Sequence, residues 1–138
     1  SSNSLPTKGL AFLSLKDSHK DEGIGLAKEL LKLNFSLCAT KGTAEYIGSK
    51  GIQVETVKKV DEGRPHIVDR IKNGEISFIL NTVEERKSAI KDSRSIRTSA
   101  LSESVTTYTT LAGAKAAVDG LSSLAASKVE VYDLKSIH

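Results

Sequence analysis

The chain of 138 residues has no methionine, no tryptophan, one cysteine and two prolines, and aromatic side chains make up 4% of it. Each shortage closes off a class of function. A lone thiol, Cys38, cannot form an internal disulfide, and its place inside an apolar run predicts a buried structural group rather than a reactive one. That usage fits an intracellular, reducing compartment. So few aromatics leave no stacking platform for single-stranded nucleic acid. No apolar run approaches the about 20 residues that span a bilayer, and no charged-then-apolar leader opens the chain, so a soluble, cytoplasmic protein is expected. The missing methionine, initiator included, predicts an excised or processed piece of a longer polypeptide, with residues 1–7 as a flexible lead and 8–138 as a single domain. Charge of one sign is also scarce. The net charge of +3 comes from 20 basic and 17 acidic residues scattered along the chain, too mild and too mixed to mark a surface for duplex nucleic acid. A small anion, by contrast, needs only a local basic cluster.

What is present is an alternation of short apolar runs with helical patterns. Leu10 to Leu15 reads as a strand covered on both faces, and Ile24, Ala27, Leu30 and Leu31 then recur at helical spacing. Ser18 or Asp21 is placed to cap that helix and Asn34 to end it. Phe35 to Ala39 is a second strand, followed by a short helix to Ser49 with Gly51 as its stop. Val54 to Val57, prolonged toward Val60, makes a third strand. Asp61 to Pro65 is a loop, with Pro65 suited to the first position of a helix carrying Ile67 and Ile71 and closed by Gly74. Ile76 to Leu80 is a fourth strand. Glu84 to Ala100 reads as a charged surface helix with an interruption. A brief fifth strand falls near Val105, Thr109 or Thr110 caps a helix through Val118 and Leu121, and Val129 to Tyr132 suggests a last short strand. The order predicts an α/β fold: a doubly wound, mostly parallel five-stranded sheet flanked by helices, three layers of the Rossmann type.

In such folds ligands bind beyond the carboxyl ends of the strands. The stretch Ala39-Thr40-Lys41-Gly42-Thr43-Ala44 lies at one of those ends, where a helix begins with unpaired N–H groups beside two hydroxyls and a lysine, a phosphate pocket in outline. Gly42 can take the positive φ of a tight strand-to-helix turn and lets a ligand approach the backbone closely. Ser14, the Lys58-Lys59 pair and Asn81 also fall at or just past strand ends, with Lys20 reaching in from the loop after the first strand. Lys20 and Lys59 are equally the kind of residue that decorates a solvated surface, and Asn81 equally the kind that satisfies a turn; convergence on one crevice is what distinguishes the readings. His66 reads as a helix-start residue organised with Arg64, Asp69 and Arg70. No His or Cys pair has metal-ligand spacing, so no metal is expected.

Ala39-Thr40-Lys41-Gly42-Thr43-Ala44, the block from Glu62 to Gly74, Asp92-Ser93-Arg94 to Ser99-Ala100-Leu101, and Thr109-Thr110-Leu111-Ala112-Gly113 together resemble the carboxyl-terminal regulatory domain of the bacterial carbamoyl-phosphate synthase large chain, which has the methylglyoxal synthase-like fold. The resemblance runs from about Gly9 to Tyr132. It implies an allosteric domain that binds a nucleoside monophosphate, UMP as inhibitor or IMP as activator. The family's phosphate and ribose contacts fall on Lys20, Thr40, Thr43, Lys59 and Asn81, with Ser14 close by. Its base-side contacts fall near Ser95 and Ile96. A family threonine is replaced by Val83, with Thr82 as the substitute, and the segment Glu84 to Ser88 is one residue longer. A tyrosine associated with ornithine in the family is replaced by Thr107, with Tyr108 adjacent, while Thr109 matches the family's ornithine contact.

The resemblance implies no catalytic residue and no cofactor in this domain. The parent enzyme would be an ATP-dependent ligase using Mg or Mn, in pyrimidine and arginine biosynthesis. Its other partners would be the remainder of the large chain and a small glutaminase subunit, with an oligomer of the parent enzyme and no nucleic acid or membrane contact. The alternative is a lyase like methylglyoxal synthase, acting on dihydroxyacetone phosphate. That chemistry needs a carboxylate base beside the phosphate, in a Gly-Gly-Asp type loop where this chain has Gly63-Arg64-Pro65-His66, with Asp61 and Glu62 near in sequence.

Overall fold

In the computed structural model the described residues are 9–82 and 87–137, with side chains described at 9–82 and 90–126. The expected lead at residues 1–7 and the departures at Val83 and residues 84–86 lie outside the described residues. Five strands, β1 (Leu10–Ser14), β2 (Ser36–Ala39), β3 (Glu55–Thr56), β4 (Ile76–Asn81) and β5 (Thr107–Tyr108), alternate with five helices: α1 (Lys20–Lys32), α2 (Lys41–Ser49), α3 (Ile67–Lys72), α4 (Lys87–Ser102) and α5 (Leu111–Ile137). The sheet order is β3-β2-β1-β4-β5, and every pairing is parallel.

Alternation along each strand divides the core into two. Ala11 and Leu13, Leu37 and Ala39, and Phe78 and Leu80 face one side, where Leu26, Leu30, Ile47, Ala114 and Val118 bring in α1, α2 and α5. Phe12, Cys38 and Ile79 face the other, against Ile67 and Ile71 of α3 and Ile96 and Ala100 of α4. Successive residues of a strand point to opposite faces, so a nearly continuous apolar run is what a sheet buried on both sides requires. Three layers follow. Cys38 lies wholly inside, and burial pushes its thiol up to about 12.

Several boundaries differ from the sequence reading. A 3-10 turn over Asp17–His19 runs directly into α1, and His19 at the N-cap makes no side-chain cap bond, so neither Ser18 nor Asp21 caps this helix. Asp21 instead accepts the Tyr46 hydroxyl, tying α1 to α2. β3 is only two residues, and Val60 lies in a second 3-10 turn instead of prolonging it. Pro65 precedes α3 rather than starting it: its peptide bond with Arg64 is cis, and His66 is the N-cap. α4 is continuous from Lys87 to Ser102. Val129 to Tyr132 is helical, carried on by α5; extending an established helix is far easier than nucleating a new element. Asn34 (φ 71°) and Gly51 (φ 80°) do end their helices in the left-handed region, and the Thr110 hydroxyl accepts the Gly113 amide at 3.0 Å to cap α5.

The start of α3 is held by a reciprocal pair. The Asp69 carboxylate accepts the His66 amide at 2.9 Å, and His66 Nδ1 accepts the Asp69 amide at 3.3 Å. Arg64 adds two bonds to the same carboxylate, at 2.6 and 3.1 Å. Arg64 first and the His66 amide second hold the Asp69 carboxyl down from 3.8 to about 2. A depressed carboxyl supplies stability that is present above its unfolded value and lost as the pH falls through its folded one. Acid unfolding followed by circular dichroism should therefore show the wild type losing part of its stability between 3.8 and about 2. Asp69→Asn should be flatter across that window; equal slopes would show that Asp69 contributes nothing to the acid limb.

Candidate functional site

β1, β2 and β4 finish at one edge of the sheet. Ser14 ends β1, Thr40 follows β2, and Asn81 ends β4 with Thr82 after it. The chain passes from β1 outward to β2 and β3, then crosses back so that β4 lies on the other side of β1. Connections leaving two adjacent strands in opposite directions open a crevice between them. A cavity of about 240 Å³ occupies that place, and Ser14, Lys20, Thr40, Thr43, Lys59, Asn81 and Thr82 all line it. Phe12, Ile67 and Ile96 supply apolar wall.

The hydroxyls are not idle. Thr40, Thr43, Asn81 and Thr82 are all buried, at 7%, 2%, 7% and 3% exposure, and buried polar groups need partners. Thr43 Oγ1 accepts the Leu15 amide at 3.1 Å, and Thr82 Oγ1 accepts the Lys16 amide at 2.8 Å. The Thr82 amide donates to the Ser14 carbonyl at 2.9 Å. Thr40 Oγ1 lies 3.4 Å from Ser14 Oγ and 3.5 Å from Thr43 Oγ1. Two threonines thus take up the amides of the residues that follow β1 and hold its loop over the crevice.

Thr40 is the N-cap of α2, with extended backbone and no side-chain cap bond, and the first turn of the helix contains no acidic residue. The first bond closing the helix runs from the Ala44 amide to the Thr40 carbonyl at 2.7 Å, which leaves the amides of Lys41, Gly42 and Thr43 directed out of the helix end. Gly42 does not take a positive φ: it lies within the first turn of the helix. Its lack of a side chain matters in another way. A Cβ there would stand 3.4 Å from Lys20 Nζ, so the ammonium reaches across to the end of α2. Lys20 is paired with Asp17 at 2.7 Å, and Asp17 also lines the cavity.

Asp92 of α4, like Lys16 and Asp17, lines the cavity although the sequence reading gave it no site role. It stands four positions before Ile96, which puts both on one helix face. Burial, chiefly, and the neighbouring Asp61 and Glu62 raise its carboxyl, while Lys59 opposes them. Ser95 does not line the cavity; its carbonyl accepts the Ser99 hydroxyl at 2.8 Å. The other predicted residues lie apart. Thr107 Oγ1 is buried without a partner, and Tyr108 stacks on Phe78 with ring centres 5.1 Å apart. Thr109 lines a second cavity with Lys16, His19, Glu22, Arg97 and the start of α5, so Lys16 borders both. Among the described residues no group of three or more His, Cys, Asp or Glu side chains is placed to hold a metal, and no helix is long and apolar enough to cross a membrane.

An all-parallel sheet with its crevice at the reversal of strand order defines a doubly wound α/β domain. The chain belongs to the MGS-like domain family, whose model matches residues 22–109. It is 52% identical over 134 residues to a carbamoyl phosphate synthase large chain of Ralstonia nicotianae, a match covering 97% of this chain and 12% of the relative. It is 43% identical over 134 residues to that of Pasteurella multocida, with the same coverage, and 51% identical over 116 residues to that of Xanthomonas axonopodis pv. citri, covering 84% of this chain and 11% of the relative. The chain therefore spans about 12% of the length of the curated relatives it matches most fully.

Thr43 is the test of how the crevice is built. Thr43→Val keeps the shape but strands the buried Leu15 amide, a loss of about 1–3 kcal/mol. Urea unfolding should show that loss, with Thr43→Ser close to wild type. A fully stable valine variant would mean that the loop is held by other means.

Proposed function

We propose that this domain is the effector-binding module of a carbamoyl-phosphate synthase large chain and that its ligand is a nucleoside monophosphate, UMP or IMP. The observation that carries the reading is the convergence of two lysines, the amides at the start of α2 and the hydroxyls of Ser14 and Thr40 on one cavity at the reversal of strand order. The phosphate would sit against the α2 amides between Lys20 and Lys59, where charge-assisted hydrogen bonds and the helix dipole both favour a dianion. Thr43 and Thr82 would shape this floor through the loop they hold. The Asn81 amide and the Asp92 carboxylate would take ribose hydroxyls, and Ile96, with Ser95 nearby, would lie toward the base. The cavity is smaller than the about 300–1,000 Å³ usual for a drug-sized ligand, so the base would extend outward, toward whatever the rest of the polypeptide places there.

Binding changes a distant activity only when the ligand prefers one conformation over another, with couplings of about 1–3 kcal/mol. On this reading the catalytic work of the parent ligase, with ATP and Mg or Mn, belongs to other parts of the chain. Thr109, with Thr107 and Tyr108 behind it, would contribute to a second effector site for ornithine. The remainder of the large chain and a small glutaminase subunit would be its partners in the cytoplasm.

Each of Lys20→Ala and Lys59→Ala should weaken UMP binding roughly tenfold to a hundredfold in titration calorimetry, as loss of a charge-assisted bond does, with circular dichroism unchanged. Unchanged affinity in both variants would remove the proposed pocket.

One feature favours a second reading. Asp92 places a carboxyl raised by burial inside the same cavity, the environment that tunes a carboxylate as a general base. A lyase acting on dihydroxyacetone phosphate would use it. Formation of methylglyoxal well above the buffer rate when the chain is incubated with that substrate, abolished by Asp92→Asn, would establish the lyase and overturn the sensor.

A further inference from the structure

The Lys20 ammonium occupies a position that ordinary electrostatics disfavours. It lies at the first turn of α2, 3.4 Å from the point where a Gly42 Cβ would stand, and the amino-terminal end of a helix carries partial positive charge. α2 has no acidic residue of its own there and no side-chain cap bond. Two positive features face each other, and the carboxylate that reaches this ammonium is Asp17, at 2.7 Å. Asp17 stands one 3-10 turn before Lys20 and lines the same cavity. The two partners differ sharply in environment: the Lys20 side chain is 19% exposed and that of Asp17 is 89% exposed.

From this geometry, and resting on the reading of the crevice as a phosphate site, we propose that Asp17 is a displaceable counter-ion built into the chain. It neutralises Lys20 while the crevice is empty and yields it to an incoming phosphate dianion. Its exposure makes the exchange easy. A carboxylate that is 89% exposed loses little hydration energy when Lys20 turns to another anion. The ligand must nevertheless displace it, so Asp17 sets the affinity and acts as a filter on charge. A dianion that also receives the α2 amides outcompetes a tethered monoanion, whereas a free monoanion such as chloride or acetate offers Lys20 no more than Asp17 does. Asp17 acts through Lys20, and so it is a positioning residue.

The experiment is calorimetric titration of UMP and of inorganic phosphate, at neutral pH and low salt, into wild type, Asp17→Asn, Asp17→Ser, Asp17→Glu, Lys20→Ala and the double variant Asp17→Asn/Lys20→Ala. Removing the competing charge should tighten UMP binding roughly threefold to tenfold in both the Asn and Ser variants, the scale of one partly screened charge contact. Asp17→Glu should stay near wild type. The gain should vanish in the Lys20→Ala background and shrink as salt is added. Equal or weaker binding by Asp17→Asn and Asp17→Ser, with Lys20→Ala still impaired, overturns the counter-ion and leaves the phosphate site standing. The same gain with and without Lys20 also overturns it, since a general field effect would then suffice. Absence of UMP and phosphate binding in every variant overturns the site and the counter-ion together.

Discussion

The hydrogen bond from the Leu15 amide to Thr43 Oγ1, 3.1 Å long and sealed from water, is the constraint on which the crevice depends. A strand that ends inside a protein leaves its next amide without a ladder partner, and that group must be satisfied by something. Here the partner is a hydroxyl on the first turn of the helix that follows the neighbouring strand. One bond therefore ties the end of β1 to the start of α2. Thr82 repeats the device from the other side, taking the Lys16 amide at 2.8 Å. The segment from Lys16 through the 3-10 turn to Lys20 at the start of α1 is held between the first turn of α2 and the residue after β4, and its position follows from satisfying backbone groups before any ligand is considered.

Charge is then arranged within a rigid frame. Lys20 approaches the amino-terminal end of α2 with Asp17 at its side, and Lys59 lies near enough to Asp92 to offset part of the rise that burial, Asp61 and Glu62 impose on that carboxyl. The crevice therefore has cations and carboxylates in opposition rather than a bare positive field. The first turn of α2 carries no carboxylate of its own beside the helix-end amides. The same loop wall, through Lys16, borders the cavity that contains Thr109.

Much of this was legible in the linear chain. Leu10 to Leu15 and Ile76 to Leu80 are apolar but for Ser14 and Ser77, as a strand covered on both faces would be, and the alternation of such runs with helical spacing fixed the class of fold. The lining residues Lys20, Thr40, Thr43, Lys59 and Asn81 all stand at or just beyond strand ends, which makes them visible once a parallel sheet is assumed. Other features were not legible. The Val-Glu-Val-Tyr run at 129–132 has local strand character, yet α5 continues through it. Pro65 suits a helix start in isolation, but the exchange of bonds between His66 and Asp69 begins the helix two residues later, at Ile67. Asp92 is an ordinary acid on a charged helix until packing turns its face toward the crevice.

By itself, then, the sequence determined the alternation of elements, the burial of both sheet faces and the placing of hydroxyls and lysines at strand ends, because these follow from periodicity and from which residue types tolerate burial. Only the tertiary structure decided which of those groups meet. The order β3-β2-β1-β4-β5 brings together residues as far apart as Ser14 and Asp92, and the roles of Thr43, Gly42 and Asp17 emerge from that meeting. Local pattern fixes what each residue prefers; the partner that satisfies a stranded amide or a misplaced ammonium is supplied by a distant part of the chain or by a turn whose form only the folded context sets.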